Sequence, residues 1–271
     1  MKTVNEISIS EWVEKLLSKG RNSFSLTEVR ESFEADSEAA TKLKLTRLSK
    51  KGKIISIYKG YYLIISAQYA SRGVLPPSLF IDGLMKYLDR PYYVGLLNAA
   101  AFYGAAHQQP QEFFVFTELP APRPTKRKGL KINYIGKNIS QVLLEKRKTE
   151  TGYISVSSPE LTAADLVQFE KRIGGLNRAA TVLNELAEVI KPEQLNETFL
   201  KEIPVATIQR LGFLLDKQLN KKLLADYLFE QCRKEDLSFF RIPLRTAHQT
   251  KGFSSDDKWK VIVNTEIEID E

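Results

Sequence analysis

In the first 65 residues, hydrophobic side chains recur first at helical spacing and then in short runs typical of β-strands. Three segments have apolar residues at helical spacing, and each follows a residue that suits an N-cap. The predicted helices are 10–20 with Ser10 as the cap, 27–36 with Thr27, and 37–51 with Asp36 or Ser37. Two β-rich runs, 54–58 and 61–65, are joined by a two-residue turn that contains glycine, which favours a hairpin. Three helices and a hairpin are the elements of a winged helix-turn-helix, so we expect this domain over residues 1–70.

Beyond residue 70 the pattern becomes that of a larger mixed domain. The periodicity breaks at 71–77, where two prolines follow one another, and we place the second domain at 78–271. Ser158 is expected to cap a helix that has Pro159 at its first position. The other predicted elements are helices at 78–88, 96–104, 177–190, 192–200, 204–218 and 221–232 and strands at 113–116, 130–135 and 259–264. The predicted fold class is α+β: an N-terminal winged helix-turn-helix, then a larger mixed α+β domain with a helical C-terminal part.

The composition of the 271-residue chain is that of an ordinary globular protein. Hydrophobic residues make up 43% and charged residues 27%, which argues against wholesale disorder. With one cysteine, Cys232, and two histidines, the chain lacks the residues for an internal disulfide or a cysteine-rich zinc site, and we expect no structural metal. No apolar run is long enough for a membrane span, and the N-terminus does not resemble a signal peptide. We therefore expect a reducing cytoplasm and no membrane partner.

Positive charge is concentrated around the third predicted helix. The net charge of +7 and the pI of about 9.2 permit a polyanionic partner. Between positions 42 and 59 there are seven basic residues and no acid. Lys44, Arg47 and Lys51 recur at three- and four-residue spacing, and we expect them to share a face opposite Leu45 and Leu48. The predicted DNA-contact residues, which would meet phosphates and base edges, are Lys42, Lys44, Arg47, Lys50, Lys51 and Lys59. The alternative is a solvated basic helix in a domain used for protein contacts.

A second basic segment lies between the first two predicted strands of the larger domain, at 120–129. Its prolines are expected to hold it extended and without regular structure. Four of its cations are candidates for a further nucleic-acid contact, and we call them the second basic surface: Arg123, Lys126, Arg127 and Lys128. A solvated hairpin tip remains the alternative, because charge runs in loops are usually solvated.

No motif in the sequence indicates catalysis. The glycine pair at 174–175 lacks the spacing and the lysine of a phosphate-binding loop, and no serine lies in a nucleophile-elbow pattern. His107 fits a turn or surface position better than the role of a general base. A metal-dependent nuclease would need scattered carboxylates such as Glu112, Glu160 and Asp165, but no short signature joins them. We therefore predict a protein that is not an enzyme and has no cofactor.

Several short motifs follow one another along residues 10 to 220. They are Tyr58-Lys59-Gly60-Tyr61-Tyr62, the segment 91–104, the aromatic strand with its basic loop, the segment 158–166, the glycine pair at 174–175 and the segment 210–215. In this order of motifs the chain resembles the AbiEi family of antitoxins from type IV bacterial toxin–antitoxin systems. It departs from the family where members commonly have a serine and a histidine. Asn98-Ala99-Ala100 and Tyr103-Gly104 occupy those places, which indicates a divergent branch.

The resemblance implies two activities and no catalytic residue. The N-terminal domain would bind double-stranded DNA at inverted repeats in its own promoter and repress the operon, through the DNA-contact residues named above. The C-terminal domain would counteract a nucleotidyltransferase toxin of the AbiEii type, for which a stable complex is not required. Two other functions remain open. One is a metal-dependent nuclease with a winged-helix targeting domain, and the other is a transcription factor whose larger domain senses a ligand.

Overall fold

The structure is a computed structural model that describes residues 7–105 and 110–269. In these ranges the helices are α1 (Ile9–Ser18), α2 (Leu26–Ser32), α3 (Glu38–Lys50), α4 (Ile81–Tyr87), α5 (Leu96–Phe102), α6 (Pro159–Gln168), α7 (Leu176–Leu186), α8 (Glu197–Glu202), α9 (Val205–Phe213) and α10 (Lys222–Lys234). The strands are β1 (Ser23–Ser25), β2 (Ile54–Tyr58), β3 (Tyr61–Ile64), β4 (Tyr92–Val94), β5 (Phe113–Thr117), β6 (Thr125–Arg127), β7 (Leu130–Gly136), β8 (Leu144–Thr149), β9 (Gly152–Ser157), β10 (Ile242–Pro243) and β11 (Val261–Ile262). The mixture of helices and sheets confirms the α+β class. Of the helices described, none is long and apolar enough to cross a bilayer.

The described residues form two compact units, and each unit draws on several stretches of the chain. The first comprises those within Met1–Tyr92, Gln111–Ile139 and Lys146–Ser155. The second comprises those within Tyr93–Pro110, Ser140–Glu145 and Val156–Glu271. Because strands β4, β8 and β9 each have residues in both units, the units do not divide the chain at a single position.

The N-terminal part of the first unit consists of three helices and a small antiparallel sheet. The sheet has the strand order β1-β3-β2, and β2 and β3 form the hairpin expected between positions 54 and 65. Strand β1 is not predicted from the sequence, because three residues are too few to show a pattern. The side chains of Phe24, Val29 and Leu45 are buried together between the helices and the sheet. Burial of this apolar cluster holds α1, α2 and α3 to the hairpin.

Serines cap all three of these helices. Ser8 and Ser25 each accept a hydrogen bond from the amide of the glutamate three residues later, at 3.2 and 3.1 Å. The same glutamates accept hydrogen bonds from the serine amides. These reciprocal pairs satisfy two amides at once, and they correct the predicted caps Ser10 and Thr27. Ser37 caps α3, as one of the two predicted alternatives.

The larger sheet has the strand order β6-β7-β5-β4-β9-β8. Strands β5 and β7 are parallel, with Phe113 opposite Ile132, and β6 pairs antiparallel with β7. Strand β6 corrects the expectation that the segment 120–129 has no regular structure. The last proline of that segment is Pro124, so the three residues after it have amides that are free to pair at the edge of a sheet.

The second unit is mainly helical and contains the small parallel sheet of β10 and β11. Helix α6 is buried along most of its length, and Ser158 caps it as predicted. The predicted helix 204–218 is present as α9, which continues into a π-helical turn at Leu214–Gln218. The predicted strand 259–264 is shorter than expected, because Lys260 has a φ of +56°, outside the β region, so that β11 begins only at Val261.

Candidate nucleic-acid interface

Helix α3 turns one face to the core of the first unit and the opposite face to solvent. Its buried residues are Thr41, Leu45 and Leu48. At about 100° per residue, the positions farthest from this buried side are Leu43 and Lys50, followed by Ala39, Thr46 and Arg47. All five side chains are exposed. The outward face of α3, as we call these five residues, therefore combines a leucine and an alanine with polar and basic groups.

Most of the predicted DNA-contact residues have no carboxylate partner among the residues that the structure describes. Lys53 pairs with Glu14 and Arg21 with Glu28, each at 2.6 Å, so these cations hold parts of the unit together. By contrast, five predicted DNA-contact residues are exposed and form no salt bridge to any described residue: Lys42, Arg47, Lys50, Lys51 and Lys59. These five cations are available to an external anion.

Lys44 differs from the other predicted DNA-contact residues. Its Nζ lies 2.7 and 2.6 Å from the two carboxylate oxygens of Asp36, which precedes the N-cap of α3. Helical geometry places Lys44 and Lys51 on a flank of the helix, while Arg47 borders the outward face. The three share one side, as predicted, but that side is not opposite the buried leucines. Around the helix axis, the side that carries the three cations is only about a quarter turn from the side that carries Leu45 and Leu48.

The turn of the β2–β3 hairpin is held in place by helix α4. Gly60 has a φ of +76°, a conformation that favours glycine. The hydroxyl of Tyr87, at the end of α4, donates a 3.0 Å hydrogen bond to the carbonyl oxygen of Lys59. A Cβ atom at Gly60 would lie 2.6 Å from that hydroxyl, so a larger residue would displace it. The side chain of Lys59 therefore projects from an anchored turn.

The second basic surface lies beside the β2–β3 hairpin, within the first unit. Strand β6 contacts β2, and Nε of Arg127 donates a 3.3 Å hydrogen bond to the carbonyl oxygen of Ser56. All four cations of this surface are exposed, and none forms a salt bridge with the residues that the structure describes. The fold thus brings the second basic surface next to the β2–β3 hairpin, which carries Lys59, although Arg127 and Ser56 are 71 residues apart in the sequence.

Leu43 is a residue of the outward face that is not among the predicted DNA-contact residues. Its side chain is 51% exposed, whereas Leu45 and Leu48 are buried. The signal was present in the sequence, because Leu43 falls out of phase with those two leucines on a helix. An apolar residue on the polar side of a helix contributes little to the core, so packing within the fold does not explain the leucine at position 43.

The three carboxylates considered for a nuclease have structural partners. Glu112, in the first unit, pairs with Lys131, whose ammonium group holds the pKa of this carboxyl below its ordinary value. Glu160, in the second unit, accepts a hydrogen bond from a main-chain amide at 3.0 Å. Asp165, also in the second unit, accepts one from the hydroxyl of Tyr93 at 2.8 Å. Each carboxylate has a role in holding its own unit together.

Metal-binding and nucleophilic groups are sparse in the part of the chain that the structure describes. In that part, no three His, Cys, Asp or Glu side chains are placed to hold a metal ion. His107 lies outside the described residues. Cys232 is buried as expected, and burial raises the pKa of its thiol to about 12. The thiol is therefore protonated at neutral pH and a poor nucleophile.

Comparison with known proteins points to one family. Residues 93–217 match the model of the AbiEi antitoxin C-terminal domain. Among solved structures, the chain is similar to the RV2827C protein from Mycobacterium tuberculosis, known from a crystal structure, with a TM-score of 0.67 and 15% sequence identity. That similarity covers 93% of this chain and 90% of the other, and at this identity it concerns the fold alone. No curated protein sequence matches the chain.

Proposed function

We propose, from the match of residues 93–217 to the AbiEi antitoxin C-terminal domain, that the chain is an antitoxin that represses its own type IV toxin–antitoxin operon by binding DNA. In this proposal the α1–α3 helices and the β2–β3 hairpin act as a winged helix-turn-helix. Helix α3 enters the major groove, and the hairpin is the wing. The protein recognises inverted repeats in its own promoter and counteracts an AbiEii-type nucleotidyltransferase toxin without needing a stable complex with it.

One observation carries the DNA-binding part of the proposal. Among the described residues, four cations of α3 and its C-cap and Lys59 of the hairpin turn, all in the first unit, form no salt bridge, whereas the neighbouring Lys53 and Arg21 are paired with acids. Binding of such cations to phosphates releases the counterions of DNA, which favours association and makes it dependent on salt. A structural role for these side chains would instead leave them paired with acids, as Lys53 is with Glu14.

The second basic surface extends this interface. It lies next to β2, so a duplex held by the hairpin passes close to the exposed side chains of Lys126 and Arg127. These side chains contact phosphates, which position the protein without reading the sequence. The interface therefore extends beyond residues 1–70, the proposed DNA-binding domain, and includes the second basic surface. Residues 78–271 form the antitoxin domain, and they include the matched segment 93–217.

A binding measurement with matched charge variants tests the DNA-binding part. The purified protein is titrated, at two salt concentrations, with the roughly 200 bp upstream of its gene and with an unrelated duplex as competitor. The double variant K50A/K59A removes one unpaired cation from α3 and one from the hairpin turn. The control K171A/R172A removes two exposed cations from the second unit that form no salt bridge among the described residues.

We expect specific binding by the wild-type protein and by the control. For K50A/K59A we expect weaker binding and a salt dependence shallower by about 0.9 per lost phosphate contact. Equal loss in both variants, or binding no tighter than to the competitor, would contradict the proposal. The antitoxin part is tested separately by co-expression with a nucleotidyltransferase toxin of the AbiEii type. Growth rescue by K50A/K59A as well as by the wild type would show that neutralisation does not depend on DNA binding.

A further inference from the structure

Leu43 lies near the centre of the outward face of α3 and contributes little to the stability of the fold. The core contacts of this helix come from Thr41, Leu45 and Leu48, all of which are buried. The Leu43 side chain is 51% exposed. In water, exposed apolar surface of this kind has no favourable contact, and its burial against a partner would be favourable. The partner must also accept positive charge, because the outward face carries Arg47 and Lys50 beside Leu43.

Two residues of the outward face that follow Leu43 lie within about two base-pair steps of it, at a rise of about 3.4 Å per step. On a helix, residues three and four apart have Cβ atoms about 5–6 Å from each other. Thr46 and Arg47 stand at those two spacings from Leu43. The hydroxyl of Thr46 donates a 2.8 Å hydrogen bond to the carbonyl oxygen of Lys42, so its own helix satisfies it. The outward face thus combines an apolar spot with the guanidinium group of Arg47.

We propose that Leu43 determines sequence specificity by contacting the C5-methyl group of a thymine in the major groove. This inference rests on the DNA-binding function proposed above. The methyl group of thymine is the apolar group that base edges present in the major groove, and aliphatic side chains recognise it by contact. Arg47, one turn along the helix, is placed to donate to O6 and N7 of a guanine in a neighbouring base pair. The operator half-site therefore contains a thymine next to or one step from a guanine.

Deoxyuridine substitution tests the inference, because it removes only the methyl group. The protected segment of the upstream DNA is prepared as a series of duplexes, each with one thymidine replaced by deoxyuridine. Affinities are measured for the wild type, L43A and L223A. Leu223 is a matched control: it is a leucine on helix α10 whose side chain is 76% exposed. Both leucines are on the surface, so neither variant is expected to unfold the protein.

We expect one substitution in each half-site to raise the Kd of the wild-type protein by about fourfold, the effect of losing one buried methyl group. L43A should bind the thymidine and deoxyuridine duplexes equally at that position. L223A should discriminate as the wild type does. If L43A keeps the wild-type ratio, or if no substitution changes wild-type binding, the inference is wrong while DNA binding itself stands. Absence of specific binding by the wild type would overturn both this inference and the DNA-binding function on which it rests.

Discussion

The hydroxyl of Tyr87 donates a 3.0 Å hydrogen bond to the carbonyl oxygen of Lys59, at the turn of the β2–β3 hairpin. Tyr87 ends helix α4, and its ring also packs against Tyr61, with 5.1 Å between the ring centroids. A hairpin turn is ordinarily a mobile part of a protein. Here a helix from outside the α1–α3 segment fixes it, so the position of a predicted DNA-contact residue depends on a side chain 28 residues away.

Removal of the Tyr87 hydroxyl should weaken DNA binding. Tyr87→Phe keeps the ring contact and deletes one hydrogen bond. That hydrogen bond stabilises the turn in its present conformation by about 0.5–1.5 kcal/mol. We expect the Kd for operator DNA to rise about two- to tenfold, with a small change in thermal stability. Titration of labelled operator checks this. Tyr153→Phe, at an exposed tyrosine of the same unit, should bind as the wild type does. An unchanged Kd for Tyr87→Phe would show that the anchored turn is irrelevant to binding.

The two cations Arg47 and Lys44 should differ in their contribution to DNA binding. Arg47 has no carboxylate partner among the described residues, whereas Lys44 is already paired with both oxygens of Asp36. Arg47→Ala should cost about 1–3 kcal/mol if its guanidinium reads a guanine, and Lys44→Ala should cost less. Comparison of the two Kd values at one salt concentration measures the difference. Unchanged binding by the double variant would mean that α3 does not lie in the groove.

Gly212 of α9 is predicted to be intolerant of even one methyl group. A Cβ atom at this position would overlap the six-membered ring of Trp259, which is fully buried. Gly212→Ala should therefore lower the free energy of unfolding by about 1–3 kcal/mol, measured by urea denaturation. The variant W259F removes the overlapping ring, so Gly212→Ala should cost less in that background. Equal costs in both backgrounds would exclude the steric explanation.

Asp216 should make the stability of the second unit sensitive to acid. Burial acts to raise the pKa of this carboxyl, but hydrogen bonds from Nε1 of Trp259, at 3.1 Å, and from Lys258 outweigh it, and the pKa is lowered. A carboxyl with a lower pKa in the folded state stabilises the protein fully above its unfolded-state pKa. That contribution is lost as the pH falls through the folded-state value.

The variant Asp216→Asn tests this dependence. At neutral pH it should be less stable than the wild type by about 1.5–3 kcal/mol, because hydrogen bonds to a charged group are replaced by weaker ones. The difference should shrink as the pH is lowered from about 5 towards 2. Urea denaturation at several pH values measures it. A difference that stays constant over this range would assign the effect to packing instead of to ionisation.

The elements of the first 65 residues could be predicted because their causes are local. Helical spacing, a serine before the first turn and glycine in a two-residue turn act within a few residues of one another. The prediction was wrong about two caps because Ser8 and Ser10, or Ser25 and Thr27, both suit the role. Only the glutamate three residues later distinguishes them, and this signal is also present in the sequence.

The number of basic residues around α3 and the hairpin follows from the sequence alone, as does the match of residues 93–217 to the AbiEi antitoxin C-terminal domain. Which of those cations remain unpaired was decided by the tertiary structure, since Lys53 meets Glu14 across 39 residues of sequence. The placement of the second basic surface beside β2 was decided in the same way. Helical periodicity and composition report local geometry and total charge. Ion pairing and strand pairing depend instead on distances between segments, and only packing sets those distances.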